Sequence, residues 1–136
     1  MEVFVEHLGA MQFEITARDH RIMSDQPLAN GGSDWGMTPP ELLLASLGSC
    51  AAYYAAQYLR KNGLVKEGTR VRVTAEKAKD PVRMDNFRIE VQVPQDLTEE
   101  QREEIEESIE HCLIHNTLLN PARIALDVES LALVTA

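Results

Sequence analysis

The sequence predicts an α+β fold with mainly antiparallel strands, and two observations support this class. Several short segments alternate apolar and polar residues, as half-buried strands do, and two longer segments place apolar residues at helical spacing. The strands come in consecutive pairs that short turns can join, so the predicted order is β-β-(β)-α-β-β-α-β. At 136 residues the chain has the size of one domain, and we expect residues 1–136 to form a single unit.

The first 24 residues predict a hairpin, with His20–Ser24 as a candidate third strand. The alternating apolar positions are Val3, Val5, Met11, Phe13 and Ile15, and Gly9 separates the two runs. Residues 25–37 then gather Pro, Gly, Asn, Asp and Ser, which predicts a long loop of the kind that often borders a site.

A helix is predicted to begin at Thr38. Thr38 and Glu41 have the spacing of a capping box, and Pro39 occupies the first helical position, where its missing N–H costs nothing. The helix should run to about Asn62, because Gly63 suits the left-handed position just past a helix end.

No residue between Leu42 and Leu59 is charged, so this helix should be buried on nearly all sides. A membrane span is the weaker interpretation, because small and polar residues dilute the run. One sheet covers only one face of a helix, which predicts that a second subunit covers the other face in a homodimer.

The second half predicts two more strands, a helix and a final strand. Capping residues Thr98 and Gln101 should begin the helix, which carries an apolar stripe opposite many glutamates. The predicted members of that stripe are Ile105, Ile109, Cys112 and Leu113. Alternation at Ile124, Leu126 and Val128 predicts the last strand.

Charge and composition exclude several classes of function. A formal charge of −9 disfavours binding to nucleic acid or to an acidic membrane surface. Glu2 and Glu6 stand where a secretory signal would need basic and then apolar residues, which predicts a cytoplasmic, reducing location. The two cysteines form no Cys-x-x-Cys pair, and a structural disulfide is not expected in that compartment.

Cys50 and Cys112 are either packing residues or reactive thiols. A reactive thiolate needs a nearby cation or donated hydrogen bonds, and the uncharged helix supplies no cation to Cys50. Arg18 or Arg21, which precede the loop, could reach it, although both also suit a solvent-exposed turn. Glu41 could orient such an arginine, or it could serve only as the helix cap.

Glu41 and Cys50 are nine residues apart, on opposite faces of a straight helix and roughly 13 Å apart along it. A shared site therefore needs a bend or Glu41 from the other subunit. His111 and His115, which lie on either side of Cys112, could bind a metal ion, but no third ligand accompanies them. We expect no metal and no cofactor.

The segments TPPELLLASLGSCAAYYAAQYLRKNGL, HCLIHNTL and ARDHRIMSD together resemble the OsmC/organic hydroperoxide resistance (Ohr) family. The resemblance spans nearly the whole chain. The ELLLASLGSC form resembles a less characterised branch, in which the Glu-to-Cys interval is one residue shorter and Leu113 replaces the proline that commonly follows the second cysteine.

The resemblance implies an intertwined homodimer in which antiparallel sheets wrap two long central helices, with thiol peroxidase sites at the interface. It implies that Cys50 is the peroxidatic thiol and Cys112 the resolving thiol, with Arg18 as the activating cation and Glu41 orienting that arginine. The implied substrates are organic hydroperoxides, and the implied reductant is a small or lipoyl-type dithiol. A redox-sensing or apolar-ligand-binding dimer, and a scaffold with two packing cysteines, are the competing hypotheses.

Overall fold

The computed structural model of the chain describes residues 1–64 and 67–131, and these form an α+β fold with two antiparallel sheets, as predicted. The strands and helices are β1 (Phe4–Gly9), β2 (Gln12–Ala17), β3 (His20–Ser24), α1 (Pro39–Lys61), β4 (Arg70–Ala78), β5 (Arg83–Gln92), α2 (Glu99–Glu110) and α3 (Leu113–Leu119). A short 3₁₀ turn covers Leu28–Asn30 within the predicted loop.

The first sheet has the order β1-β2-β3, and β3 is the candidate third strand. Its strands are joined by two tight turns, at Gly9–Gln12 and at Ala17–His20. The main contacts of these strands are with one another, whereas α1 packs mainly on α2, α3, β4 and β5. The apolar side chains of Phe4, Val5 and Ile22 therefore remain exposed in a single chain.

The loop before α1 is organised around the buried carboxylate of Asp25. This carboxylate accepts hydrogen bonds from the backbone N–H groups of Gln26, Ser33 and Trp35. Burial alone would raise the pKa of Asp25, but these hydrogen bonds outweigh it and lower the pKa. The carboxylate thus fixes a loop in which Trp35 itself stays exposed.

Helix α1 begins and ends where the sequence predicts. Thr38 is its N-cap, Asn62 its C-cap, and Gly63 has a φ of 65°. The buried residues fall at every fourth position, namely Leu47, Ala51, Ala55 and Leu59, and form one stripe. On the opposite face Ala45, Ser49 and Tyr53 are exposed, so the single chain buries only one side of the helix predicted to be buried all round. Within the described residues, no helix combines the length and apolar character that crossing a membrane requires.

Helix α2 packs its apolar stripe against α1. The Thr98 hydroxyl accepts the Gln101 N–H at 3.1 Å, and the Gln101 side chain accepts the Thr98 N–H at 2.9 Å, which is the predicted capping box. Ile105 and Ile109 join the core that Ala51, Ala55 and Leu59 form. Tyr58 also donates a hydrogen bond from α1 to Glu104 of α2, and this bond raises the pKa of Tyr58 to about 12.

The prediction that Cys112 and Leu113 extend the stripe of this helix is wrong. The helix ends at Glu110, and Cys112 has an extended backbone with φ −60° and ψ 126°. Its sulfur accepts the N–H of His115, so Cys112 is the N-cap of a separate helix, α3. The Asn116 side chain donates to the Glu110 carbonyl and so satisfies one free acceptor at the end of α2.

The last predicted strand is also absent from the single chain. Residues 121–131 have no regular secondary structure. Ile124, Leu126 and Val128 are 84–89% exposed. An alternating segment becomes a strand only when another strand pairs with it, and none of the described strands does so here.

Candidate thiol site

The two cysteines, 62 residues apart in the chain, come together where α3 packs against α1. Cys50 is half-buried on α1, and Cys112 is fully buried at the start of α3. Both are free thiols, and the Cys112 side chain makes a hydrogen-bonding and electrostatic interaction with Cys50. The fold therefore builds a dithiol pair from residues that lie on two different helices.

Cys112 is held as a protonated thiol. Burial raises the pKa of Cys112, and the hydrogen bond with Cys50 raises it further, while backbone N–H groups of His115 and Ile114 oppose the shift only in part. At neutral pH Cys112 therefore keeps its proton. A donated hydrogen bond is one of the two features that stabilise a thiolate.

The two arginine candidates both lie on the first sheet. Arg18 is exposed in the β2–β3 turn with a φ of 55°, and no hydrogen bond or ion pair of Arg18 is found among residues 1–64 and 67–131. Arg21 lies across from β2 and approaches Glu14 at 3.9 Å. No contact within the described chain brings either arginine to Cys50, because their sheet does not pack on the α1 face that carries the thiol.

Glu41 is engaged as a helix cap. Its carboxylate accepts the Thr38 N–H at 2.7 Å and the Thr38 hydroxyl at 2.9 Å. The backbone bond first, and then the hydroxyl bond, lower the pKa of Glu41. Neither bond leads toward Cys50, so the structure of one chain joins Cys50 with Cys112 but not with Arg18 or Glu41.

His115 is the residue of this site that the sequence did not reveal. The sequence suggests His115 only as a metal ligand together with His111, but the residue lies in the first turn of α3, three residues after the N-cap. Its Nδ1 atom is buried, and no hydrogen-bond partner for it lies among residues 1–64 and 67–131. The signal that could have found it is the spacing Cys-x-x-His at a helix start, which is that of N-cap and N3 residues.

His115 lies between two open cavities. One, of about 400 Å³, runs along β5 and α2, and its charged lining residues are Arg102, Glu106 and Glu110. The other, of about 760 Å³, lies between β5, α1 and α3, and has an apolar lining with Arg83 and Asp85 at its edge. Within the described chain, no group of three His, Cys, Asp or Glu side chains is arranged to hold a metal ion.

These features define an α+β domain with a dithiol built between two helices. Residues 31–127 match the model of the OsmC-like protein family, and the chain belongs to that family.

Solved structures show the same fold. The chain is similar to a candidate osmotic stress induced and detoxification response protein from Psychrobacter arcticus, with 23% identity, a TM-score of 0.77 and 85% of each chain covered. An OsmC-like protein from Mycoplasma pneumoniae is 19% identical, with a TM-score of 0.70, over 88% of this chain and 87% of that one.

An organic hydroperoxide resistance protein OsmC from Legionella pneumophila, described as a predicted redox protein, is 16% identical, with a TM-score of 0.59, over 87% and 89% of the two chains. A search of curated proteins gives no match.

Proposed function

We propose that this protein is a cysteine-based peroxidase that reduces organic hydroperoxides with electrons from a dithiol. The observation that carries the proposal is the contact between the buried Cys112 thiol and the half-buried Cys50. Cys50 is the more accessible of the two thiols, so a hydroperoxide reaches it first and it is the nucleophile. The Legionella relative, an organic hydroperoxide resistance protein, supports the choice of substrate.

The reaction proceeds in three balanced steps. The Cys50 thiolate attacks the distal oxygen of the hydroperoxide, the O–O bond breaks, and the alkoxide leaves and is protonated to the alcohol. Cys50 is now a sulfenic acid, and Cys112 displaces its oxygen as water to form the Cys50–Cys112 disulfide. A small or lipoyl-type dithiol then reduces this disulfide by exchange, which needs the reducing conditions of the cytoplasm.

The working unit is proposed to be a homodimer. A single chain leaves three apolar surfaces uncovered: the outer face of α1, the first sheet, and the alternating side chains of residues 124–128. Large exposed apolar surfaces of this kind usually mark an interface. In the dimer the α1 helices meet, and residues 124–128 become the strand that the sequence predicts by pairing with the partner's sheet.

The dimer also supplies the cation that Cys50 lacks in one chain. We place Arg18 of the partner subunit beside the Cys50 sulfur, since Arg18 is exposed on a sheet that is uncovered in its own chain. Arg21 is the less suitable candidate because Glu14 already approaches it. Glu41 would orient the arginine through the carboxylate oxygen that Thr38 does not use.

Variants of the two cysteines separate the steps of this cycle. Cys50→Ser should abolish turnover of cumene hydroperoxide with dihydrolipoamide, a loss of at least about 100-fold, because the nucleophile is gone. Cys112→Ser should consume one equivalent of hydroperoxide and accumulate a Cys50 sulfenic acid that dimedone traps. Turnover by Cys50→Ser at the wild-type rate would refute the mechanism.

The redox-sensing alternative predicts a different outcome in the same assay. The wild-type protein would then form the disulfide once with stoichiometric hydroperoxide, and no dithiol would sustain a cycle. The apolar-ligand alternative is favoured by the cavity of about 760 Å³ between β5, α1 and α3. It predicts that a fatty acid binds equally well to the wild type and to Cys50→Ser.

A further inference from the structure

His115, a half-buried histidine beside the dithiol, has no role in the cycle described above. His115 occupies the N3 position of α3 and Cys112 the N-cap, and the His115 backbone N–H contacts the Cys112 sulfur at 3.4 Å. The Cys112 side chain therefore lies over the first turn of α3, with its sulfur at the backbone of His115. The imidazole and the thiol belong to two residues that meet at this helix start.

The histidine side chain is free to act because its ordinary structural partner is taken. In a capping box the N3 side chain reaches back to the N-cap N–H. Here the Cys112 N–H donates to the Ile109 carbonyl at 2.9 Å, and the buried Nδ1 atom of His115 has no hydrogen-bond partner in the part of the chain that the structure describes. A buried nitrogen without a hydrogen bond destabilises the folded state, which suggests that this nitrogen has a function.

Formation of the Cys50–Cys112 disulfide needs a proton acceptor close to Cys112. Cys112 must lose its proton to attack the oxidised Cys50, and its burial opposes ionisation. Thiol exchange is fast only through the thiolate. The carboxylates and cations around His115 are Glu106, Glu110 and Arg102 from α2 and Asp85 and Arg83 from β5, and all of these line the two cavities.

We propose that the imidazole of His115 accepts the proton of the Cys112 thiol as Cys112 attacks the oxidised Cys50. The S–S bond forms, the S–O bond of the sulfenic acid breaks, and the departing hydroxide takes the proton back from His115 and leaves as water. No external oxidant or reductant enters this step. The inference rests on the proposed dithiol cycle and assigns its resolving step a general base.

The test compares His115→Asn with His111→Asn, which removes an exposed histidine at the C-cap of α2. After one equivalent of cumene hydroperoxide, trapping of the Cys50 sulfenic acid should proceed at the wild-type rate in both. Disulfide formation should slow by roughly 100-fold or more at pH 7 in His115→Asn alone, the scale of a lost general base.

A second oxidant separates this inference from the proposed function. A nitrobenzoate disulfide reagent modifies Cys50 and releases one coloured thiol, and attack by Cys112 then releases the second. The second release should show the same dependence on His115, whether or not the protein turns over hydroperoxides. Equal second-release rates in His115→Asn and His111→Asn would overturn the proposal. The first release, from Cys50, shows whether His115→Asn is folded, and His115→Gln takes its place in the comparison if it is not.

Discussion

At the scale of the residue, Arg18 stands where a glycine would be easier to accommodate. Its φ of 55° lies in the left-handed region, which costs an L residue about 1–2 kcal/mol. Such strain is tolerated where the surrounding structure fixes the backbone, as in a tight turn. Ala10, in the β1–β2 turn, has a φ of 47° and is equally exposed, but it has no functional group. The β1–β2 and β2–β3 turns thus hold Ala10 and Arg18 in the same backbone conformation, so Ala10 can serve as a control for Arg18.

Arg18→Gly should therefore stabilise the protein and impair its thiol chemistry at the same time. Relief of strain, less the entropy that glycine adds to the unfolded chain, should raise the free energy of unfolding by roughly 0.5 kcal/mol. Alkylation of Cys50 by iodoacetamide at pH 7, followed in a Cys112→Ser background, should slow by roughly tenfold, because the cation that stabilises the thiolate is lost.

Ala10→Gly, the control, should give a similar gain in a urea unfolding experiment with no change in alkylation rate. If Arg18→Gly leaves the alkylation rate of Cys50 unchanged, another group activates Cys50. The same measurement on Arg21→Gln then tests whether Arg21 is that group.

At the scale of the element, the contact of α1 with β4 depends on Gly48. A Cβ atom placed at Gly48 would lie 3.0 Å from Val73 Cγ2, tighter than ordinary van der Waals contact. Gly48 thus allows the helix to lie close to the strand within the turn that precedes Cys50. The glycine also weakens the helix by about 1 kcal/mol relative to alanine.

A double-mutant cycle measures this contact. Gly48→Ala alone should be neutral or destabilising by about 1 kcal/mol, since the gain in helix propensity is offset by overpacking against Val73. In a Val73→Ala background the same change should become stabilising by roughly 1 kcal/mol, because the methyl group it meets is gone. If the effects of the two substitutions on the free energy of unfolding are additive, α1 moves away from β4 at no cost, and the close approach of Gly48 to Val73 does not affect stability.

The elements also show which parts of the fold are local enough to predict. The capping boxes at Thr38 and Thr98 depend on residues within one turn, and both helices begin there. The break between α2 and α3 is not visible in the apolar spacing, because Cys112 fits the stripe at helical period and is nevertheless used as a cap. The segment 124–128 shows the opposite failure: its alternation is clear, but none of the described strands pairs with it.

The candidate site follows the same division between local and long-range information. The sequence predicts the two cysteines, and Glu41 as a cap, from residue type and neighbours alone. Contact between Cys50 and Cys112 depends on how α3 packs on α1, which no spacing reveals. His115 was missed because its position depends on the α2–α3 break, and Arg18 reaches Cys50 only through a second subunit, if the proposed dimer is correct.

At the scale of the whole molecule, a single chain leaves three apolar surfaces uncovered. Sheet β1-β2-β3 packs mainly with itself, α1 buries one side only, and residues 121–131 are exposed and have no regular structure. These three surfaces belong to different elements, and each is apolar. Two copies related by a twofold axis can cover all three surfaces, because every contact that one subunit makes with its partner is repeated by the partner.

Tyr53 provides the most direct test of this assembly. It is 57% exposed in the middle of the outer face of α1, whereas Val82 is 88% exposed in the β4–β5 turn. Tyr53→Glu should place an unpaired charge in the proposed interface, at a cost of several kcal/mol, and convert the dimer to a monomer at micromolar concentration. Val82→Glu should leave the mass unchanged.

Sedimentation equilibrium of the wild type and both variants gives the masses. Because the proposed site takes Arg18 from the partner subunit, the monomeric Tyr53→Glu protein should also lose the fast alkylation of Cys50, and Val82→Glu should retain it. A wild-type protein that sediments as a 15.2 kDa monomer at these concentrations would contradict the dimer. If the Tyr53→Glu monomer keeps fast alkylation, the wild-type dimer still stands, but Cys50 is then activated by groups of its own chain, such as Cys112, which contacts it.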